Sequence, residues 1–360
     1  MKKHTQPLKL VEVFGSHRQI GQQIGESCTD QVTHGVEVAR NLLESVSGKL
    51  KLTWEGACFQ SRKYLHFAQE YYPQYVEELV GIAEAAGVNF EDVMVANTIE
   101  ELTDDALHLE KCTSMAVNQE RTLSGHVLLA HNEDWEKKDE DVVYLVSARP
   151  EDEQPFLAIT YGALLPNVGF NSAGIGQACD SVYPNDIRIG IPRLFVSRAV
   201  LGMSTLTDSI RAVQVAQRAA GYNHLIAHES GELYNIEASA QQVAYLYSKD
   251  GYLVHTNHYQ TPNMQEIEVD PQGLVSSRMR CFRAERLLSL MRLHTIDSLQ
   301  TILRDHVNYP YSICCHIDEL DREDQFKTIC SLIMDLTDRK LYIAWGSPCQ
   351  NEYATYQLRT

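Results

Sequence analysis

The chain has 360 residues, of which 44% are apolar and 22% charged, enough to bury a sizeable core without disulfides or a metal. Its formal net charge of −17 lacks the basic footprint that nucleic acid or an anionic membrane surface would require. No segment is apolar over the length of a membrane span, the start MKKHTQPLKL lacks the apolar stretch of a secretory leader, and the nine scattered cysteines are odd in number, so reduced thiols in a cytoplasm are expected.

In chain order, residues 10 to about 108 read as helical. The stretch YYPQYVEELVGIAEAA, residues 71–86, has apolar side chains at helical spacing, with Pro73 near its start and Gly87 just past its end. Asn89 is a suitable N-cap, followed by acids Glu91 and Asp92 in the first turn. After residue 111 the character changes. The short runs CTSMAV, HVLLAH, VVYLVSA and FLAITY are separated by polar turns and read as strands and hairpins, with Ser124-Gly125 the first turn. Helices are expected near Arg193–Gly202 and Thr207–Ala220, then strands HLIAHE, ELYNIEA, VAYLYS and YLVHTN. Ser230-Gly231 joins the first two, and Lys249-Asp250-Gly251 joins the last two as a hairpin. An amphipathic helix over Ser277–Leu293 precedes the strands TICSLIMDL and KLYIAWGS around the turn Thr337-Asp338-Arg339, and the last residues read as a further strand. Helices first and paired strands after them predict an α+β fold, one structural domain in which helices cover a double-layered sheet.

Cys112 opens the strand at this switch. A thiol there is either a nucleophile or a small core residue, and the residue alone leaves both open. Asp134 lies one hairpin beyond, close enough to return to Cys112 and hold an amine or orient a base; the competing reading is a solvated acidic loop. Asn257 ends the strand YLVHTN, where its side-chain N–H suits a developing oxyanion or merely starts a turn. Arg280 stands near the start of the 277–293 helix, where a guanidinium and a helix N-terminus together suit a carboxylate-bearing group. His255 and His258 point to opposite faces of a strand with no third ligand nearby, so no metal is expected there. Cys58, Cys179, Cys281 and Cys330 read as small core residues, and the cluster Cys314-Cys315-His316 as core packing.

The order of these segments is more specific than any one of them. Cys112-Thr113-Ser114, then Asn132-Glu133-Asp134-Trp135, then Thr256-Asn257-His258, then Ser276-Ser277 with Arg280 resembles the isopenicillin N acyltransferase family, and more distantly the penicillin V acylases and bile salt hydrolases. The segments GSHRQIGQQIG (15–25), EELVGIA (77–83), GFNSAG (169–174), Ser312-Ile313-Cys314 and WGSPC (345–349) extend the likeness over nearly the whole chain. The resemblance implies the four-layer αββα sandwich of N-terminal-nucleophile hydrolases and a precursor that cuts itself between Lys111 and Cys112. Residues 1–111 would then be a helical α subunit and 112–360 the catalytic β subunit, associated as a heterodimer, with a homo-oligomer left open. It implies Cys112, Asp134, Asn257 and Arg280 as the catalytic set, and His131, Asn132 and Asn171 as substrate-binding residues. No cofactor is implied. The expected substrate is a small linear amide, N-acyl or peptide-like, cleaved through an acyl-thioester on Cys112, with hydrolysis favoured over acyl transfer. Two positions depart from the pattern. Lys111 stands where the acyltransferases commonly have glycine, and His131, neutral at pH 7 at its ordinary pKa, where the bile salt hydrolases have arginine. Lys111 is the feature that favours the alternative, an unprocessed, non-catalytic family member that binds a small molecule or partner. A papain-like Cys/His protease would need its cysteine at a helix N-terminus, and Cys112 starts a strand.

Overall fold

The computed structural model describes residues 4, 7–50, 52–103, 112–318 and 326–359, so Lys111 lies outside the described residues. Before Cys112 the chain forms strand β1 (Leu10–Gly15) and helices α1 (His17–Ser27), α2 (Thr29–Leu50), α3 (Trp54–Tyr71), α4 (Pro73–Ala86), α5 (Phe90–Ala96) and α6 (Ile99–Leu102). Strands β2 (Thr113–Val117), β3 (Leu128–Glu136), β4 (Val143–Pro150), β5 (Phe156–Tyr161), β6 (Val168–Asn171) and β7 (Ile175–Ser181) follow. Helices α7 (Arg193–Gly202) and α8 (Leu206–Val213) lead to β8 (Tyr222–His228), β9 (Leu233–Ala238), β10 (Val243–Tyr247) and β11 (Tyr252–His255). Helices α9 (Pro262–Gln265), α10 (Val275–Leu290) and α11 (Ile296–Leu303) precede β12 (Phe326–Asp335), β13 (Lys340–Trp345) and β14 (Ala354–Gln357).

The strands form two sheets, in the orders β1-β4-β5-β6-β7-β8-β9-β10 and β11-β2-β3-β12-β13-β14. Alternation along each strand decides the layers, because successive side chains leave a strand on opposite faces. In the larger sheet Tyr144, Val146, Phe156 and Ala158 pack against Ile20, Ile24, Leu79 and Phe195 of α1, α4 and α7. Their neighbours Leu145, Leu157 and Ile159 point the other way, into a second core with Leu129, Leu332 and Ile343 of the smaller sheet. On the far face of that sheet Met115, Val117, Leu128 and Ala130 pack under Cys281, Ala284, Leu288 and Leu299 of α10 and α11. The order of layers is therefore helix, sheet, sheet, helix: the expected αββα sandwich.

Local signals account for the helix ends. Pro73 is the first residue of α4, where its missing N–H costs nothing, and Gly87 closes the helix in a left-handed conformation at φ +71°. Glycines also decide how α1 and α4 meet. A methyl group on Gly21 would lie 1.9 Å from the Glu78 carbonyl oxygen, and one on Gly81 would lie 2.3 Å from the Arg18 carbonyl oxygen. The two backbones approach so closely that only glycine fits.

Three expectations are corrected. Residues 10–15 are a strand, not helix: Val11 and Val13 are buried while Leu10, Glu12 and Phe14 are exposed, a period of two, and β1 pairs in parallel with β4. The Asp250-Gly251 turn does not close a hairpin. Gly251 takes φ +77°, but β10 is an edge of the larger sheet and β11 pairs with β2 in the smaller one, so this turn carries the chain between the sheets. The helix expected over 207–220 ends at Val213.

Candidate active site

Cys112 stands directly before β2, and the register that sets Thr113 opposite Asn132 and Ser114 opposite His131 brings it alongside Glu133. His131 and Glu133 share the inter-sheet side of β3 with Leu129, because the three alternate along one strand. The Cys112 sulfur, a His131 ring nitrogen and a Glu133 carboxylate oxygen all lie within 4.8 Å of one another, and all three residues are buried. His131 Nε2 is 2.8 Å from Glu133 Oε2 and its Nδ1 is 2.9 Å from Ser114 Oγ, which donates its own proton to Asp180 Oδ1 at 2.7 Å. An imidazolium satisfies both contacts as donor. Burial alone would lower the His131 pKa, but the Glu133 hydrogen bond and the charges of Glu133, Asp180 and Asp134 outweigh it and hold the pKa above its usual value. His131 is therefore biased toward a cation beside the thiol, so the local field is stronger than a neutral histidine would give.

The other side of the same strands faces α10. Arg280 is buried there and ties α10 to two other segments, the start of β2 and the residues just after β11. Its Nη1 donates to the Cys112 carbonyl oxygen and, at 2.9 Å, to Thr113 Oγ1, while Nη2 donates to Asn257 Oδ1 at 2.8 Å. Asn257 is fixed at both ends: its backbone N–H donates to Ser277 Oγ at 2.8 Å and its Nδ2 to the Ser181 carbonyl at 3.1 Å. Asp134 is fully buried on β3, which excludes the reading as a solvated acidic loop. Its Oδ1 accepts from Thr328 Oγ1 at 2.5 Å, and its Oδ2 is buried without a hydrogen-bond partner among the described residues. Burial pushes the Asp134 pKa up from 3.8 to about 7, against the pull of Arg280, Thr328 and His131.

The structure does not gather every expected residue. Asn132 points toward the outer helices, where Nδ2 donates to the Leu303 and Ile313 carbonyls at 2.9 and 2.8 Å. Asn171 lies in the other sheet beside Phe156, on the face covered by α7. Its Nδ2 donates to the Leu201 and Met203 carbonyls, and its Oδ1 accepts from the backbone of Ala173 and Ile175. Both ends of the Asn171 amide are spent on backbone groups, so its visible work is bracing, whereas Asn132 spends only Nδ2 this way and its Oδ1 is buried without a hydrogen-bond partner among the described residues. Conversely, Glu133, Ser114, Asp180 and Thr328 take part without having been anticipated. Glu133 and Ser114 lie inside the quoted motifs, and strand alternation was the signal that could have placed them with His131.

The acyl-coenzyme A:6-aminopenicillanic acid acyl-transferase family model matches residues 120–350, a span that contains Asp134, Asn257 and Arg280 and begins just downstream of Cys112. The chain belongs to this family. It is an amide hydrolase or acyltransferase. Over 343 residues it is 24% identical to the acyl-coenzyme A:6-aminopenicillanic-acid-acyltransferase 40 kDa form of Emericella nidulans, covering 93% of this chain and 91% of that one. It is 24% identical over 227 residues to the β-alanyl-dopamine/carcinine hydrolase of Drosophila melanogaster, covering 59% of this chain and 58% of that one. Among solved structures it is similar to a mutant conjugated bile acid hydrolase from Clostridium perfringens, at 14% identity and TM-score 0.47, covering 69% of this chain and 97% of that one. A penicillin V acylase from Agrobacterium tumefaciens gives 11% identity and TM-score 0.47, with 65% and 83% covered.

Proposed function

We propose that this family member is a cysteine N-terminal-nucleophile enzyme that hydrolyses a small linear amide, N-acyl or peptide-like, through an acyl-thioester on Cys112. The observation that carries the reading is the convergence on Arg280 of the Cys112 carbonyl, the Thr113 hydroxyl and the Asn257 side chain, three groups from the start of β2 and from just past β11. A core cysteine needs no such clamp.

In this reading Cys112 first attacks the carbonyl of Lys111 and water resolves the ester, leaving a free α-amine on Cys112. That amine, with an ordinary pKa of about 7.7–8.0, is matched to act as a general base near neutral pH. The unpartnered Oδ2 of Asp134 is the oxygen that takes the ammonium form and orients it. The His131 cation favours the thiolate, whose ordinary pKa of about 8.5 leaves little of it at neutral pH. Asn257 spends one Nδ2 proton on Ser181 and keeps the other for the tetrahedral oxyanion. Carcinine hydrolysis by the Drosophila relative is the precedent for a small amide with water as acceptor.

The test is the denatured mass of the wild-type chain beside Cys112→Ala. Two fragments split at Lys111–Cys112 in wild type and one intact chain in the variant are expected, with turnover of N-acyl amides only in wild type. Full activity in Cys112→Ala would sink the reading. An intact wild-type chain without turnover would leave the small-molecule-binding alternative.

A further inference from the structure

Away from the candidate active site, four ligand-type side chains meet on the far side of the smaller sheet. His306 follows α11, Cys314 and His316 lie between α11 and β12, and Cys349 follows β13. Their ring nitrogens and sulfurs all lie within 4.8 Å of one another. His306 Nε2 is 3.1 Å from His316 Nε2, Cys314 Sγ is 3.5 Å from the same nitrogen, and Cys349 Sγ is 3.6 Å from it. A tetrahedral zinc with Zn–S of about 2.3 Å and Zn–N of about 2.0–2.1 Å has ligand–ligand edges of roughly 3.3–3.8 Å. The observed separations are those of such a tetrahedron, within a few tenths of an ångström.

We propose that His306, Cys314, His316 and Cys349 form a Cys2His2 zinc site. Two thiolates and two neutral imidazoles are a closed set with no open position for substrate, so the site is structural rather than catalytic. Binding releases the two thiol protons and leaves the site neutral, which suits a place where Cys314 and His316 are buried. His306 and Cys349 are exposed and give the ion its way in.

The site has a consequence for the catalytic strand. The stretch it pins supplies the Ile313 carbonyl that accepts from Asn132 Nδ2, and the Cys315 N–H that donates to Thr328 Oγ1 at 2.9 Å. That same hydroxyl donates to Asp134. The metal would thus brace the outer face of β3 behind Asp134.

The experiment is metal analysis of the full chain purified under reducing conditions without chelator. The expected result is about one zinc per chain, against about none for Cys349→Ser and His306→Ala, while Cys58→Ser keeps its zinc. Cobalt(II) added to chelator-treated protein should give the thiolate charge-transfer and tetrahedral visible bands at about one equivalent, and lose them in Cys349→Ser. Cys349 and His306 are exposed, so these variants are expected to fold, which circular dichroism checks. A folded wild-type chain that neither retains zinc nor saturates with cobalt overturns the proposal. So does a Cys314–Cys349 disulfide found by mass spectrometry in place of metal, or full zinc occupancy in both variants.

Discussion

Asp134 is where charge, burial and chemistry meet on one side chain. Its pKa is raised from 3.8 to about 7, so between those values the folded chain keeps a proton that the unfolded chain has lost. Stability therefore falls as pH rises through that window and levels off above about 7. His255 continues the fall. Burial would lower its pKa, but Asp180 and Glu237 raise it to about 9, so the stability this cation contributes is lost as pH climbs through 9. The melting temperature should decline steadily from pH 5 to pH 9, and Asp134→Asn should flatten the lower part of that decline. The same variant should lose turnover by at least ~100-fold, the order expected of a group that positions the base. A near-normal rate would remove Asp134 from the site. Arg280→Lys keeps the charge but not the fork, and cannot hold Cys112, Thr113 and Asn257 at once. It should lower kcat by ~10²–10³ with little change in KM, because the misplaced Asn257 acts on the oxyanion rather than on bound substrate.

At the scale of elements, the described helices before Cys112 are locked to α7 and the larger sheet by close contact and by buried ion pairs, of Arg193 with Glu100 and Glu101 and of Arg198 with Glu78 and Glu153. Arg198 of α7 is fully buried between the rings of Tyr75 and Phe156, with Nη2 3.1 Å from Glu78 of α4 and Nη1 3.1 Å from Glu153. Burial pushes Glu78 up, but Arg198 and His17 outweigh it and hold the carboxyl below its usual range. Glu78→Ala leaves the guanidinium without this partner and should cost about 3–5 kcal/mol in chemical denaturation. Gly81→Ala must separate α1 from α4, and should cost about 1–3 kcal/mol by the same measurement. Unchanged stability in Gly81→Ala would mean that the helices part without loss. The two segments GSHRQIGQQIG and EELVGIA look unrelated along the chain; α1 and α4 explain their shared glycines, since each helix provides the groove for the other.

At the scale of the molecule, the described residues before Cys112 are woven into the sandwich. β1 is an edge strand of the larger sheet, and α1, α4 and α5 supply much of the core on its outer face. A cut before Cys112 should therefore leave two fragments that co-elute on size exclusion and part only in denaturant. Fragments that separate in native buffer would contradict the packing seen here.

Local pattern marked most of the helices and strands after Cys112 but not the end of the helix expected over 207–220, and the order of motifs carried the family, the αββα sandwich and the segments that meet at Arg280. Local pattern did so because periodicity, Pro73, Gly87 and the Gly231 turn act over a few residues. Tertiary structure decided the rest. Whether β10 pairs with β11 or crosses to the other sheet depends on which edge is open, a property of the assembled sheet. Asn132 and Asn171 carry polar side chains suited to substrate, yet their partners are carbonyls of helices distant in sequence. The His131 pKa rises above its usual value only because Glu133 and Asp180 are buried beside it. Cys349 joins Cys314 and His316 only because β12 and β13 fold back across the smaller sheet. In each case the chemistry is set by neighbours that folding supplies, and burial makes those neighbours matter.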